Sequence, residues 1–188
     1  MSTHPNLLDS HNSLLVIVDM QSKLSAAMPE KDVAIMTKNG ISLLMASKLL
    51  GVPVFMTEQY PKGLGATMLE IAENLPANTR MFEKTGFSCC AADGFKQALA
   101  ASGRRQIILA GQEAHVCILQ TALELLHMGY LVYVVEDALC SRQTQHKISA
   151  LHRMQRNGVT VVCHESVLFE WLKDAKHADF KAISSLLR

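Results

Sequence analysis

The sequence has few aromatic residues, no surplus of either charge and no apolar run long enough to cross a membrane. Aromatic residues make up 5% of its 188 residues, and 18 basic residues balance 17 acidic ones for a net charge of +1. Proteins dedicated to nucleic acids or anionic membranes carry a basic surplus, so this balance predicts neither partner. No apolar run approaches the roughly 18 residues that a membrane helix needs.

The features of exported, disulfide-stabilised proteins are also missing. The five cysteines are odd in number and form no Cys-x-x-Cys motif, which is typical of a reduced intracellular protein. Residues 1–8 contain neither a basic stretch nor an apolar signal core, so we expect a cytoplasmic protein. What is present is apolar: 49% of the residues are hydrophobic, with no repeat or linker-like segment between them. We therefore expect a single domain over residues 1–188.

The order of apolar runs and helical periodicity predicts the fold class. Short apolar runs without polar alternation occur at residues 14–18, 52–56, 106–110, 131–135 and 159–162, with a weaker one near Met81 and Phe82. Strands buried on both faces of a parallel sheet have this composition. Helical stretches that end at glycine lie between the runs, at residues 33–50, 92–102, 116–128 and 145–157. This alternation predicts an α/β protein, a three-layer α/β/α sandwich of Rossmann type with a six-stranded, mostly parallel sheet.

Three chemically active side chains follow the predicted strands. Asp19 ends the first run, Lys84 follows the weak third strand, and Cys117 ends the segment GQEAHVC after the fourth. Ligands bind beyond the carboxyl ends of such strands, and a cysteine that begins a helix is expected to be a thiolate. Asp19 can take the thiol proton, while Lys84 stabilises both charged partners. Each residue also has a structural interpretation, as a turn-forming aspartate, a solvated lysine or an inert buried cysteine.

Three segments resemble the isochorismatase-like family of cysteine hydrolases, with the greatest similarity to its isochorismatase-domain-containing subgroup. These segments are VIVDMQ, FEKTGFSC and GQEAHVCILQTALELLHMGY, and the similarity continues into the C-terminal tail. The resemblance implies a catalytic triad of Asp19, Lys84 and Cys117 and a homo-oligomeric protein. It also implies a cis peptide between Gln112 and Glu113. The oxyanion hole would then consist of the backbone N–H groups of Glu113 and Cys117.

The resemblance also separates subgroups of the family. Nicotinamidase-like members hold a metal with an Asp-x-His pair and a further histidine, but residues 57–84 contain neither Asp nor His. We therefore predict no metal site and no cofactor. True isochorismatases act on a vinyl ether and lack the cysteine, so the presence of Cys117 favours acyl transfer.

Four further residues are candidates for the substrate pocket because they lie close to the triad in sequence or in an adjoining loop. They are Gln21, Tyr60, Phe87 and His115. Each also has a structural interpretation, with Gln21 and Phe87 in the core and His115 stabilising its turn.

The leading hypothesis is a cofactor-free hydrolase of a small molecule with an amide-like or otherwise activated acyl bond, which acts through a thioester on Cys117. One alternative keeps the pocket but uses Asp19 as the general acid on an enol ether, so that Cys117 is dispensable. The other alternative is a non-catalytic binding or scaffold protein of the same fold.

Overall fold

Short segments rich in β-branched and aliphatic residues form the sheet in the computed structural model, which describes residues 4–187. The strands are β1 (Ser13–Val18), β2 (Val54–Gln59), β3 (Arg80–Lys84), β4 (Gln106–Gln112), β5 (Leu131–Cys140) and β6 (Thr160–Val162). Their order across the sheet is β3-β2-β1-β4-β5-β6, and every neighbouring pair is parallel. This arrangement confirms the predicted fold class.

Helices cover both faces of the sheet. The α-helices are α1 (Ser22–Ser25), α2 (Glu30–Leu50), α3 (Pro61–Leu64), α4 (Leu69–Ala72), α5 (Phe95–Ala101), α6 (Leu119–His127), α7 (Thr144–Arg156), α8 (His164–Leu172) and α9 (Phe180–Ser185). Buried side chains of α2, α8 and α9 pack on one face, and those of α5, α6 and α7 pack on the other. The result is three layers, with the sheet in the middle.

The central strand β1 shows why its sequence does not alternate between apolar and polar residues. Leu15 and Ile17 point into the core under α2, whereas Leu14, Val16 and Val18 point into the core under α5 and α6. All five side chains are fully buried. A strand covered on both faces needs apolar residues at every position, which produces the run LLVIV.

Helix α2 is long and apolar enough to cross a membrane when length and composition alone are considered. Core helices of soluble proteins pass the same test, and one side of α2 is buried in this fold through residues such as Met36, Leu43 and Leu44. Its composition is therefore accounted for by packing against the sheet.

The structure differs from the predicted element boundaries at two places near the site. Strand β2 continues past the apolar run to Gln59, because Thr57 and Gln59 pair with Phe82 and Lys84 of β3. The helix predicted from residue 116 is preceded by a π-helical turn at Ala114–Ile118, and α6 begins only after it. π-helical turns often occur at functional sites.

Candidate active site

The three candidate catalytic residues lie at the carboxyl edge of the sheet. Asp19 directly follows β1, Lys84 is the last residue of β3, and Cys117 lies in the π-helical turn after β4. The neighbours β1 and β4 form the point at which the strand order reverses. Parallel sheets place their ligand sites at this point, so the fold brings together residues that are far apart in sequence.

Asp19 and Lys84 form a fully buried ion pair. The Lys84 Nζ lies 2.6 Å from Asp19 Oδ2, and neither side chain is exposed to solvent. The other carboxylate oxygen, Oδ1, accepts a 2.7 Å hydrogen bond from the Thr57 hydroxyl. Asp19 has a φ of 51°, a left-handed conformation that aspartate tolerates better than most residues. Both carboxylate oxygens are thus held by donors, one from β2 and one from β3.

Protein oxygens also surround the Lys84 ammonium on its other sides. Besides Asp19, it donates to Gln59 Oε1 at 2.6 Å and to the Phe87 carbonyl at 3.0 Å. The Gln59 amide nitrogen donates to the Thr85 carbonyl at 2.7 Å, which fixes the direction of the Gln59 side chain. An ammonium has three hydrogens to donate, and a fourth acceptor, the Gly86 carbonyl at 3.4 Å, lies within reach as well.

A glycine allows β1 and β4 to approach closely beside the site. Gly111 has a φ of 124°, and a Cβ atom added there would lie 2.1 Å from the carbonyl oxygen of Val18. Val18 immediately precedes Asp19, and Gly111 lies six residues before Cys117. At Gly111, the strand that leads to the acid and the strand that leads to the thiol therefore approach each other backbone to backbone, with no side chain between them.

Cys117 is buried, with 4% of its surface exposed. Burial, the nearby negative charge of Asp19 and the neighbouring Cys89 raise the pKa of the Cys117 thiol to about 12, although Lys84 acts in the opposite direction. The expectation of a resting thiolate at a helix terminus is therefore wrong, because burial disfavours the charged form of the sulfur. The site pairs a neutral thiol with an adjacent carboxylate.

The turn that carries Cys117 is attached to its surroundings by two side chains. The Gln112–Glu113 peptide is cis, and the Gln112 side chain donates to the Asp19 carbonyl at 3.0 Å and the Ser25 hydroxyl at 2.9 Å. On the other side, the Glu113 carboxylate accepts three hydrogen bonds from Arg142, from its backbone N–H, Nε and Nη2. The turn is thereby joined to the loop of Asp19 and to the segment after β5.

The Glu113 carboxyl is acidic despite its position. Burial alone would raise its pKa, but the hydrogen bonds and charge of Arg142 outweigh this effect and lower the pKa of Glu113 below its ordinary value. Glu113 is therefore ionised at neutral pH and holds the guanidinium of Arg142.

His115 lies on the α7 side of the turn. Its Nδ1 is 3.1 Å from the Ser141 hydroxyl, and its ring lies 4.6 Å from that of His146. Burial lowers the pKa of His115, and the positive charges of His146 and Arg142 lower it further, against the opposing effect of Glu113. A small hollow of about 210 Å³ lies between this ring and α7.

The other candidate pocket residues have different environments. Gln21 is fully buried, and its amide binds the backbone of Gln59 and the carbonyl of Gly65. Tyr60 and Phe87 are about half exposed. Tyr60 lines a hollow of about 410 Å³ that also contacts Lys84. Gln21 thus links the end of β2 to the loop that contains Gly65 through hydrogen bonds. Tyr60 and Phe87 lie at the protein surface.

Two further observations limit what the site can hold. Within residues 4–187, no group of three or more His, Cys, Asp and Glu side chains is arranged to bind a metal ion. A hollow of about 640 Å³ lies between Leu7, Leu8 and α8 and contacts none of the three candidate catalytic residues. The chemistry available at this edge of the sheet is that of a carboxylate, an ammonium and a thiol.

Comparison with known proteins identifies the family. A family model described as the isochorismatase domain matches residues 13–166. The chain belongs to the isochorismatase family. Isochorismatase domain-containing protein 2 of Danio rerio is 38% identical over 182 residues, which cover 96% of this chain and 89% of that protein. Isochorismatase domain-containing protein 1 of the same fish is 37% identical, but the match spans only 62% of that longer protein.

Solved structures of isochorismatase fold superimpose on nearly the whole chain. The MAR1 ribonuclease from Caenorhabditis elegans has a TM-score of 0.90 at 33% identity, covering 96% of this chain and 91% of that one. The YcaC protein of Escherichia coli, described as an octameric hydrolase of unknown specificity, has a TM-score of 0.90 at 23% identity. That match covers 100% of this chain and 91% of the other. These matches confirm the resemblance on which the family prediction depends.

Sequence reasoning missed the two residues that hold the ion pair in place, Thr57 and Gln59. A signal was present, because both are polar residues at the end of the second apolar run. The rule that selected Asp19 would have selected them too, had the strand been extended beyond residue 56.

Proposed function

We propose that this member of the isochorismatase family hydrolyses a small molecule with an amide-like or otherwise activated acyl bond, through a thioester on Cys117. The observation that carries the proposal is the buried Asp19–Lys84 pair beside a neutral, buried thiol. A carboxylate without solvent contact and next to a thiol is suited to remove its proton as the sulfur attacks.

In the first half-reaction, Asp19 accepts the Cys117 proton while the sulfur adds to the acyl carbon. The resulting tetrahedral intermediate collapses, and the leaving amine or alcohol departs with the proton that Asp19 has stored. In the second half-reaction, Asp19 takes a proton from water, the hydroxide adds to the thioester, and the carboxylic acid leaves. The stored proton returns to the departing sulfur, which restores the thiol.

Lys84 has a positioning and electrostatic part in this scheme. Its ammonium holds the Asp19 carboxylate in place and stabilises the negative charge that moves between the carboxylate and the sulfur. The backbone N–H groups of Glu113 and Cys117 are the proposed oxyanion donors. Loss of one such donor costs about 3 kcal/mol of transition-state stabilisation in comparable sites, so the attachment of this turn through Gln112 and Arg142 bears directly on the rate.

Two other functions make different predictions. In an enol-ether hydrolase, Asp19 donates a proton to the substrate and Cys117 takes no part. In a binding or scaffold protein, neither residue is needed for the biological role. The presence of a buried base beside a thiol favours the acyl mechanism over both.

The test is a hydrolysis screen of small amides, esters and enol ethers with the wild type, Cys117→Ala and Cys163→Ala in parallel. An RNA oligonucleotide belongs in the screen because the C. elegans neighbour is described as a ribonuclease. We expect Cys117→Ala to lose at least about a thousandfold in rate. The matched control Cys163→Ala, at a half-buried cysteine after β6, should keep full activity.

A mass increase of an acyl group on Cys117 during turnover would identify the reaction type directly. Full activity of Cys117→Ala on an enol ether would replace the acyl mechanism with the general-acid one, and full activity on an amide would refute it. We also propose that the protein is cytoplasmic and needs no cofactor. We further propose that it forms a homo-oligomer, for which the octameric E. coli YcaC is a precedent. Light scattering after size-exclusion chromatography measures the oligomeric state.

A further inference from the structure

The segment around α7 concentrates positive charge. Residues 138–164 contain no aspartate or glutamate, but they include four of the 18 basic residues, namely Arg142, Lys147, Arg153 and Arg156. The other 14 basic residues and all 17 acidic residues lie elsewhere, so the rest of the chain has a net charge of −3. A local excess of this kind on a nearly neutral chain attracts anions.

Only part of this positive charge is matched inside the fold. Arg142 pairs with Glu113 at 2.6 Å, and Lys147 Nζ donates to the Leu139 carbonyl at 2.8 Å. Arg153 forms no ion pair with any residue from 4 to 187. It lines the hollow of about 210 Å³ between His115 and α7, and its charge there is unmatched.

The lining of this hollow contains hydrogen-bond donors and no carboxylate. Besides Arg153, its polar residues are His115, His146 and Ser149, and the remaining residues are apolar. The imidazoles and the hydroxyl can each donate one hydrogen bond, and a guanidinium can donate several. Donors from separate side chains that surround a cation-lined hollow are suited to an oxyanion.

The contacts of the two histidines show which nitrogen atoms are available. His115 Nδ1 lies 3.1 Å from the Ser141 hydroxyl. It also lies 3.9 Å from Glu113 Oε2, but Arg142 already donates three hydrogen bonds to that carboxylate. The Nδ1 atom of His146 is buried and has no hydrogen-bond partner within residues 4–187. Because an N–H buried without a partner is unfavourable, the proton of a neutral His146 belongs on Nε2, which is then a donor.

We propose that this hollow binds a small phosphate-type anion, either inorganic phosphate or the phosphate group of a small metabolite. A phosphate group carries about 1.5 to 2 negative charges at neutral pH and offers three acceptor oxygens. These oxygens match the donors of Arg153, His146 and Ser149. The hollow, at about 210 Å³, is below the range of about 300–1,000 Å³ typical of sites for drug-sized ligands, so the ligand is small.

The site is separate from the reacting centre, and the inference does not rest on the proposed function. Asp19, Lys84 and Cys117 do not line the hollow. Its lining instead includes His115 and Leu119, which stand two residues before and two residues after Cys117. An anion in the hollow therefore connects α7 to the turn that carries the nucleophile, and restrains that turn.

Nuclear magnetic resonance of the histidine rings tests the inference in the intact protein. Inorganic phosphate replaces chloride at constant pH and ionic strength, and the ring signals of His115, His146 and His127 are followed. We expect saturable shifts at His115 and His146 and none at His127, which lies in the last turn of α6 and outside the hollow. The absence of saturable shifts at His115 and His146 would overturn the inference.

Two arginine variants separate a specific site from general attraction to a basic surface. Both arginines lie on α7 and are exposed, so both variants should fold. Arg153→Gln should weaken phosphate binding at least about tenfold, because it removes a charge-assisted hydrogen bond. The matched control Arg156→Gln, outside the hollow, should bind nearly as the wild type does. Equal losses in the two variants would overturn the inference.

Three further ligands define the class of anion. Tighter binding of ethyl phosphate than of inorganic phosphate would identify a phosphorylated small molecule as the ligand, and the reverse order would identify free phosphate. Propionate that binds as tightly as either would overturn the phosphate assignment. A short RNA oligonucleotide that depends equally on Arg153 and Arg156 would reveal a nucleic-acid surface instead, which also contradicts the inference.

Hydrogen exchange measures the effect of the anion on the turn. Phosphate should slow the exchange of backbone amides in residues 113–119 of the wild type and Arg156→Gln, but not of Arg153→Gln. Unchanged exchange at saturating phosphate would refute the restraint of the turn. None of these measurements requires turnover, so their failure would leave the thiol mechanism standing, and a failed hydrolysis screen would leave the anion site standing.

Discussion

Two ion pairs flank the nucleophile, and they have the same shortest distance but different surroundings. Lys84 and Asp19 are 2.6 Å apart with both side chains fully buried. Arg142 and Glu113 are also 2.6 Å apart, but the arginine side chain is 54% exposed. The first pair has no access to solvent if one partner is lost, whereas the guanidinium of the second pair can return to water. Burial, and not distance, therefore decides what each pair contributes.

The largest effect is expected from removing the buried cation. Lys84→Met leaves the Asp19 carboxylate uncompensated, which should reduce the free energy of unfolding by about 3–5 kcal/mol. Urea denaturation at neutral pH measures this change. In the double variant Asp19→Asn/Lys84→Met, both charges are gone and much of the stability should return. A loss below about 1 kcal/mol in Lys84→Met would mean that water reaches Asp19.

An intermediate effect is expected at the half-exposed pair. Arg142→Ala removes two side-chain hydrogen bonds from Glu113 and should cost about 1–2 kcal/mol of unfolding free energy, reduced by the solvent around the guanidinium. Because Arg142 lowers the pKa of Glu113 below the ordinary value of 4.5, the stabilisation is present above that pH. It is lost as the pH falls through the lower pKa of the folded state.

Urea denaturation at a series of pH values checks this prediction. The stability difference between wild type and Arg142→Ala should shrink as the solution is acidified below about pH 4.5. A difference that stays constant down to pH 3, well below that ordinary value, would exclude ionisation of Glu113 as its cause.

The smallest effect is expected at a surface pair that resembles the other two only in its geometry. Lys173 Nζ lies 2.9 Å from Asp9 Oδ2, with both side chains a third or more exposed. Lys173→Ala should change the free energy of unfolding by no more than about 0.5 kcal/mol, and added salt should remove the difference. A loss as large as that of Arg142→Ala would break the proposed link between burial and effect.

The sequence predicted the sheet well because buried parallel strands leave a strong local signal. The run LLVIV of β1 and the positions of Asp19, Lys84 and Cys117 after their strands can all be recognised without coordinates. The hydrogen bonds that hold the Asp19–Lys84 pair cannot be recognised from the sequence, because residues such as Thr57 and Asp19 are 38 positions apart. Which hydroxyl meets which carboxylate depends on the register of β1 against β2.

The charge state of Cys117 could not be predicted from the sequence, for a similar reason. A cysteine near a helix terminus suggests a thiolate when only local sequence is considered. In the structure the sulfur is buried, with 4% exposure, and this burial, together with the nearby charge of Asp19, raises the pKa of the Cys117 thiol. The part of Gln112 in holding the Asp19 loop likewise appears only once β1 and β4 are adjacent.

The missing side chain at Gly111 has a consequence for directed evolution of this protein. Any larger residue at position 111 would collide with the Val18 backbone. The collision would push the end of β1, which leads to Asp19, away from the end of β4, which leads to Cys117. Mutant libraries aimed at new substrates can therefore randomise an exposed position such as Phe87, but should keep codon 111 fixed. Substitutions at exposed positions change which molecules can enter the site, whereas one methyl group added at position 111 would separate Asp19 from Cys117.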